Sequence, residues 1–352
     1  MAARELVAWV AAPAVIATFY ACSSTSASPS TSMDGGAEAA STGTVVAQLP
    51  SPDHIVTDGL NLYVTAWPLD GGDGEVVRIP TDGGGSTVIA TTGGPGLAID
   101  DEWVYLANDT SDDTGHVTNG GTIDRVAKTG GVVQTVASSP EPGEIAVDDT
   151  NVYWTDLYQD NCTIWVAPKA GSVSPTLLVT TGAELIGGIT LDATHVYWIE
   201  VDALPSGSLR RISKSGGPTE TVANGFFAYQ YAAQDDGGIY AGLNEGLDGS
   251  PAGILRYDTA AGSTRLLGPR RSSPVGIAVD SAHVYWTDDV DGVLVAPVDG
   301  GAAVQLASNV VNSFPVGIAV ANGVAYWAAP MVGAEGERVE GAVRSIAIPA
   351  DP

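Results

Sequence analysis

His54, Glu144 and Tyr231 are the residues whose types and spacing point most directly at chemistry. Each stands four positions before a recurring acid (Asp58, Asp148 and Asp235), and at the four matching places the chain carries Gly96, Gly188, Gly276 and Gly317. An imidazole, a carboxylate and a phenol are the groups that enzymes use to give and take protons. The plainer reading is a set of polar side chains that, with water, fill an opening in the fold. A second group combines the aromatic run Phe226–Tyr231, with Phe226, Phe227 and Tyr229, and the arginine pair Arg270 and Arg271. Guanidinium forks bind carboxylates in a bidentate manner, and aromatic faces hold sugars or peptides. Rings packed between structural units are the alternative. Acidic segments, among them Asp109, Asp112 and Asp113 and then Asp288, Asp289 and Asp291, offer oxygen ligands to calcium, but none completes an EF-hand loop. No other cofactor is implied. The two cysteines, Cys22 and Cys162, lack metal-site spacing, and no nucleophile elbow, zinc-protease helix or phosphate-binding loop is present.

The elements that must position these residues follow from one register. Asp58, Asp100, Asp148, Asp192, Asp235 and Asp280 are each followed five residues later by tyrosine, and Ala321 with Tyr326 completes the set. The starts are 42, 48, 44, 43, 45 and 41 residues apart, the period of propellers and solenoids. Each unit divides into four short apolar segments joined by tight turns rich in glycine, which is the pattern of a four-stranded blade. The seventh unit ends without a fourth strand, whereas Thr44–Leu49 (TVVAQL) resembles a fourth strand with no first three. Joining the two predicts an all-β, seven-bladed β-propeller over residues 44–352, closed by an N-terminal strand that completes the last blade and leaves no free edge.

In such a ring the first strands line the central channel, so His54, Glu144 and Tyr231 stand at its mouth. They belong to blades one, three and five, which sets them apart around the channel. A separation of His54 and Glu144 beyond about 10 Å would leave an acid–base reading without its best support. Connections between second and third strands vary in length, Asn108–Gly121 and Ala329–Gly341 being long, while the opposite turns hardly vary. Variable loops on a rigid scaffold are where binding residues gather. The repeated tyrosine and tryptophan of Val-Tyr-Trp are read as packing between blades. His195 and His283 are read as turn residues, and Cys162 as a half-buried apolar side chain.

Composition bounds the partners. Forty-one Asp and Glu against 14 Lys and Arg give a formal charge of −27, which repels phosphate backbones and argues against nucleic acid. Arg4 followed by the apolar stretch Leu6–Tyr20 is too short to span a bilayer and reads as a signal peptide over residues 1–21. Residues 22–43 are rich in Ser, Thr and Gly and read as a disordered tether.

Two resemblances add to this. Ala21 before Cys22, with the polar segment after it, resembles a bacterial lipoprotein lipobox, which implies lipidation of Cys22 and a membrane contact through that anchor alone. An ordinary signal peptide cut near Ala21 would leave Cys22 incidental. His283–Asp288 (HVYWTD) and Asn151–Asp156 (NVYWTD) resemble the YWTD repeats of lipoprotein-receptor propellers, and GIAVD at Gly276–Asp280 resembles NHL repeats. YWTD propellers have six blades where this chain counts seven. The expectation is an exported monomer, lipid-anchored at the bacterial cell envelope or secreted, that binds a protein, peptide or glycan without catalysis. The alternative is a propeller enzyme of lyase or hydrolase type at the channel mouth, similar in architecture to virginiamycin B lyase.

Overall fold

A computed structural model describes residues 41–69, 72–108, 120–157, 162–171, 174–183, 185–203, 206–226, 232–235, 237–244, 252–270, 273–333 and 338–350. The expected signal peptide and most of the tether, residues 1–40, lie outside them. Among the described residues there is no α-helix, and so none long and apolar enough to cross a membrane.

Seven antiparallel four-stranded sheets account for the strands. Six are built from consecutive segments; in blade three these are Pro142–Val147, Asn151–Asp156, Thr163–Pro168 and Thr176–Thr180. The seventh blade takes three strands from the C-terminal part of the chain, Ile318–Ala321, Val324–Val332 and Arg338–Ala347, and its outermost strand from Thr44–Pro50. Thr44 pairs with Ser345 and Pro50 with Glu340, so the ring closes by the strand exchange expected from the two incomplete ends. Each blade's first strand touches the first strands of both neighbours, which makes a continuous inner ring.

The core is divided among the seams between blades. Successive strand residues face opposite sides of a sheet, and here both sides are covered. In blade three, Val152 and Trp154 pack towards blade two, with Tyr105, Ile123 and Val136. Tyr153 between them packs towards blade four, with Ile186, Val196 and Trp198. This is why Val-Tyr-Trp recurs: three adjacent residues are all buried because each blade is sandwiched. Burial of each aliphatic neighbour contributes about 1.5–3 kcal/mol, so every seam is a small core in its own right. Cys162 sits in the seam between blades three and four and is 3% exposed, fully rather than half buried. A small thiol among apolar neighbours fits there, and burial pushes its pKa up to about 11.

The Asp-to-Tyr register has a mechanical explanation. In all six complete pairs the tyrosine hydroxyl donates to one carboxylate oxygen, at 2.7–3.0 Å. The other oxygen accepts backbone amides of the turn, as Asp100 Oδ1 does from Glu102 and Trp103. At three seams a lysine from the following blade completes a clamp: Lys128 to Asp58 at 3.1 Å, Lys169 to Asp100 at 2.7 Å and Lys214 to Asp148 at 3.0 Å. Burial alone would raise the Asp100 pKa, but the Lys169 ammonium, the turn amides and Tyr105 outweigh it and hold the carboxyl at about 2.

One expected loop is shorter than its sequence implied. The connection read as Ala329–Gly341 is largely a hairpin extension, with Met331 paired to Val339 and Val332 to Arg338. Alternating side chains there continue the ladder, so the length variation on this face is partly strand.

Candidate functional site

His54 lies in the first strand of blade one (Pro52–Thr57) and Glu144 in that of blade three (Pro142–Val147). Both occupy the same irregular point of their strands. The register with the second strand shifts between Pro52 and Ile55 in blade one and between Pro142 and Ile145 in blade three. A residue at a bulge leaves the ladder and re-aims its side chain. Its amide is then held by a threonine of the second strand: His54 N donates to Thr65 Oγ1 at 3.0 Å and Glu144 N to Thr155 Oγ1 at 2.9 Å. Gly276 N bonds Thr287 Oγ1 in the same way in blade six. The threonine two residues after the repeat tyrosine, Thr65, Thr155 or Thr287, is therefore the fixing point of the slot.

Alternate blades were expected to keep the two side chains apart. Instead His54 Nε2 lies 3.3 Å from Glu144 Oε1. The reason is blade two, whose residue in this slot is Gly96. A Cβ there would collide with the backbone of Gly143 and crowd Ala107 and Ile145. With no side chain between them, the inner strands of blades two and three close up, and the imidazole and carboxylate meet across the gap. Gly317 serves the other flank: a Cβ on it would lie 2.7 Å from the Asp53 carbonyl oxygen and 2.9 Å from Ile55 N.

Asp53 is the member of the site that the repeat comparison did not single out. Its Oδ2 lies 3.4 Å from His54 Nδ1, so the ring stands between two carboxylates. Side-chain exposure is 14% for His54, 24% for Asp53 and 25% for Glu144, which places the group at a partly covered, solvent-connected position. Burial opposes the imidazolium, but the charges and hydrogen bonds of Asp53 and Glu144 prevail and raise the His54 pKa well above its ordinary 6.5. At neutral pH the ring is thus a cation, its Nε2 hydrogen-bonded to Glu144 and its Nδ1 ion-paired with Asp53.

The strand that carries Glu144 is anchored from outside the slot. Trp154 Nε1 donates to Ser139 Oγ at 2.7 Å, the Ser139 hydroxyl donates to Asp156, and Asp156 also accepts the Glu141 amide at 3.3 Å. Ser139 and Asp156 are almost wholly buried, so this relay fixes the approach to the first strand of blade three.

The other predicted positions are less informative. Phe226 ends the fourth strand of blade four, opposite Gly207, and Arg270 ends that of blade five, opposite Ala252. Tyr231, Phe227, Tyr229 and Arg271 lie outside the described residues, as does Cys22. His195 and His283 begin the second strands of blades four and six, their amides capped by Asp192 and Asp280, in keeping with turn roles. Among the described residues no three His, Cys, Asp or Glu side chains converge as metal ligands. Asp288 directs one oxygen to the amides of Val290 and Asp291.

No protein-family model matches the chain, and no curated protein sequence does. Solved structures do. An acylaminoacyl peptidase in complex with Z-Gly-Gly-Phe-chloromethyl ketone is 11% identical over 84% of this chain, with a TM-score of 0.59. This chain spans about half of that peptidase, 52% of its length. An oligogalacturonate lyase in complex with manganese is 13% identical, with 84% of this chain and 87% of that one covered and a TM-score of 0.57. The computationally designed Ika8 protein is 12% identical over 87% of this chain and all of its own, 100%, with a TM-score of 0.54. At these identities the likeness is one of fold alone, and propellers host binding proteins and enzymes alike. The chain is a seven-bladed β-propeller, closed by its N-terminal strand, with an imidazole bracketed by two carboxylates on its inner ring.

Proposed function

We propose that this propeller is a binding module whose loop-rich face, centred on the channel mouth at His54, engages a protein, peptide or glycan. The observation that carries the reading is the bracketing of His54 by Asp53 and Glu144. A ring that keeps its proton at neutral pH and faces a carboxylate at each nitrogen is a poor general base. It is a good strut, tying blade one to blade three over the glycine of blade two. Rigid inner strands beneath variable loops are what a binding face needs. The N-terminal sequence supports export and attachment to the bacterial cell envelope through Cys22, with Phe226, Phe227, Tyr229, Arg270 and Arg271 as contact residues on the same face.

A second reading is favoured by the same contact. At 3.3 Å, His54 and Glu144 are within hydrogen-bond reach, and a protonated imidazole is a competent general acid for a lyase or hydrolase. One comparison separates the two. Glycan and peptide arrays probed with the chain beginning at Ser41 should give ligands that are retained unchanged after incubation and whose binding falls in Arg270→Ala. Turnover of a bound ligand, abolished by Glu144→Gln, would overturn the binding reading in favour of the enzyme.

A further inference from the structure

The seam between blades seven and one is built differently from the three seams that follow it, on the face opposite the long loops. At the three clamped seams an ammonium group sits beside the acid and over the tyrosine ring of one pair: Lys128 is 5.6 Å from the ring of Tyr63, Lys169 5.9 Å from Tyr105 and Lys214 5.7 Å from Tyr153. The lysines hold one fixed place, the residue after the third strand, whose amide bonds a carbonyl in the turn between the first two strands of the same blade. In blade one that place is Thr81, bonded to Leu60 in the same way. The acid that it would meet in blade seven is Ala321. Both halves of the ion pair are missing together, so neither is left as an uncompensated charge.

The tyrosine, however, is retained. Tyr326 is 5% exposed and packs in the seam with Val64, Ile79 and Val343. Where the clamp would lie there is a pocket of about 420 Å³, lined among others by Thr44, Thr81, Asp82, Val324, Tyr326 and Ser345. Its walls combine a phenol ring, aliphatic side chains, several hydroxyls and the Asp82 carboxylate, which stands on an exposed turn.

We propose that this pocket binds a primary alkylammonium group, taking from outside what three of the other six seams carry as an internal lysine. The ring face of Tyr326 and the Asp82 carboxylate offer the cation the same two partners that Lys169 finds in Tyr105 and Asp100. Val324 and its apolar neighbours suit a methylene stem, as they would a lysine side chain. The formal charge of −27 raises the local concentration of any cation. The group can arrive on a lysine of a partner polypeptide or on a free diamine. The site is separate from the channel mouth and stands whether or not the binding reading of that face holds.

The test measures equilibrium binding of cadaverine, a lysine-containing tetrapeptide and the same peptide acetylated on Nε to the full chain at low ionic strength. Cadaverine, the lysine peptide or both should bind, which identifies the source, and acetylation should weaken the peptide at least tenfold. The double substitution Thr81→Lys with Ala321→Asp refills the pocket with an internal clamp at unchanged net charge, and it should abolish binding while raising the melting temperature. Asp82→Asn, on an exposed turn and so harmless to folding, should weaken binding about fivefold, the upper end of an exposed ion pair. Binding that survives both sets of substitutions, or that ignores acetylation, would be attraction to the overall charge and would overturn the proposal, as would no binding by either amine.

Discussion

Asp100→Asn tests the clamp that joins blades two and three. Asn keeps an oxygen for the amides of Glu102 and Trp103 and a polar partner for Tyr105, but it removes the charge facing Lys169. The native carboxyl titrates near 2 against an ordinary 3.8. A folded-state pKa depressed in this way gives stability that is complete above the unfolded value and is lost as pH falls towards 2. Linkage puts it at roughly 2.5 kcal/mol at pH 7, ~1.8 at pH 3.5 and ~0.8 at pH 2.5. The side chain is only 20% exposed, so solvent screening removes a minor part. The assay is urea unfolding of the native chain and the variant at each pH, with equal m values as the sign that both expose the same surface. The stability gap should be widest at pH 7 and narrow by about 1.6 kcal/mol by pH 2.5. With Lys169→Met in the background, the pH-dependent part should shrink by the share of Lys169, leaving that of the turn amides and Tyr105. A gap that stays constant down to pH 2.5 would mean that the fold does not favour the Asp100 carboxylate over its acid, and the clamp would have no energetic meaning.

Three further outcomes are expected. His54 has a raised folded pKa, so its contribution is complete below pH 6.5 and fades as pH climbs through the folded value; the melting-temperature gap between the native chain and His54→Gln should narrow from pH 6 to alkaline pH, and a widening gap would contradict the bracketed imidazolium. Gly317→Ala forces a methyl to within 2.7 Å of the Asp53 carbonyl oxygen and should cost about 1–3 kcal/mol in chemical denaturation. Removal of Thr44–Leu49 should broaden and lower the melting transition, because blade seven loses its outer strand; an unchanged melting curve would refute closure by that strand.

The fold was legible because its determinants are local and repeated. Asp and Tyr five residues apart flank one hairpin, and a fixed spacing along the chain suffices to reveal them. Closure was legible for a different reason: a strand without a blade and a blade without a strand are both visible in the order of segments. The site was only half legible. The substitution of His54 and Glu144 for glycine stood out, but their contact depends on the width of the ring at Gly96, which no spacing along the chain encodes. Asp53 escaped notice because it precedes a repeat position and has no acidic counterpart in register. The clamping lysines do leave a signal in the sequence, recurring as Lys128, Lys169 and Lys214 ahead of the glycine-rich turns. The hairpin extension at Met331–Val339 was hidden because its glycines and charges look like a loop until the ladder is seen to continue.

The closing strand also imposes an order on synthesis. Thr44–Pro50 is made first, yet its partner Arg338–Ala347 is made last, after roughly 300 further residues. At about 5–20 residues per second on the ribosome, that strand waits on the order of 15–60 s with its hydrogen-bonding groups unmatched. Six blades can form behind it meanwhile, but their two outer faces stay open until the final hairpin arrives and the early strand is captured. A nascent chain stalled before residue 338 would therefore present both a sticky strand and an open arc, the combination that invites exchange of the strand between two chains.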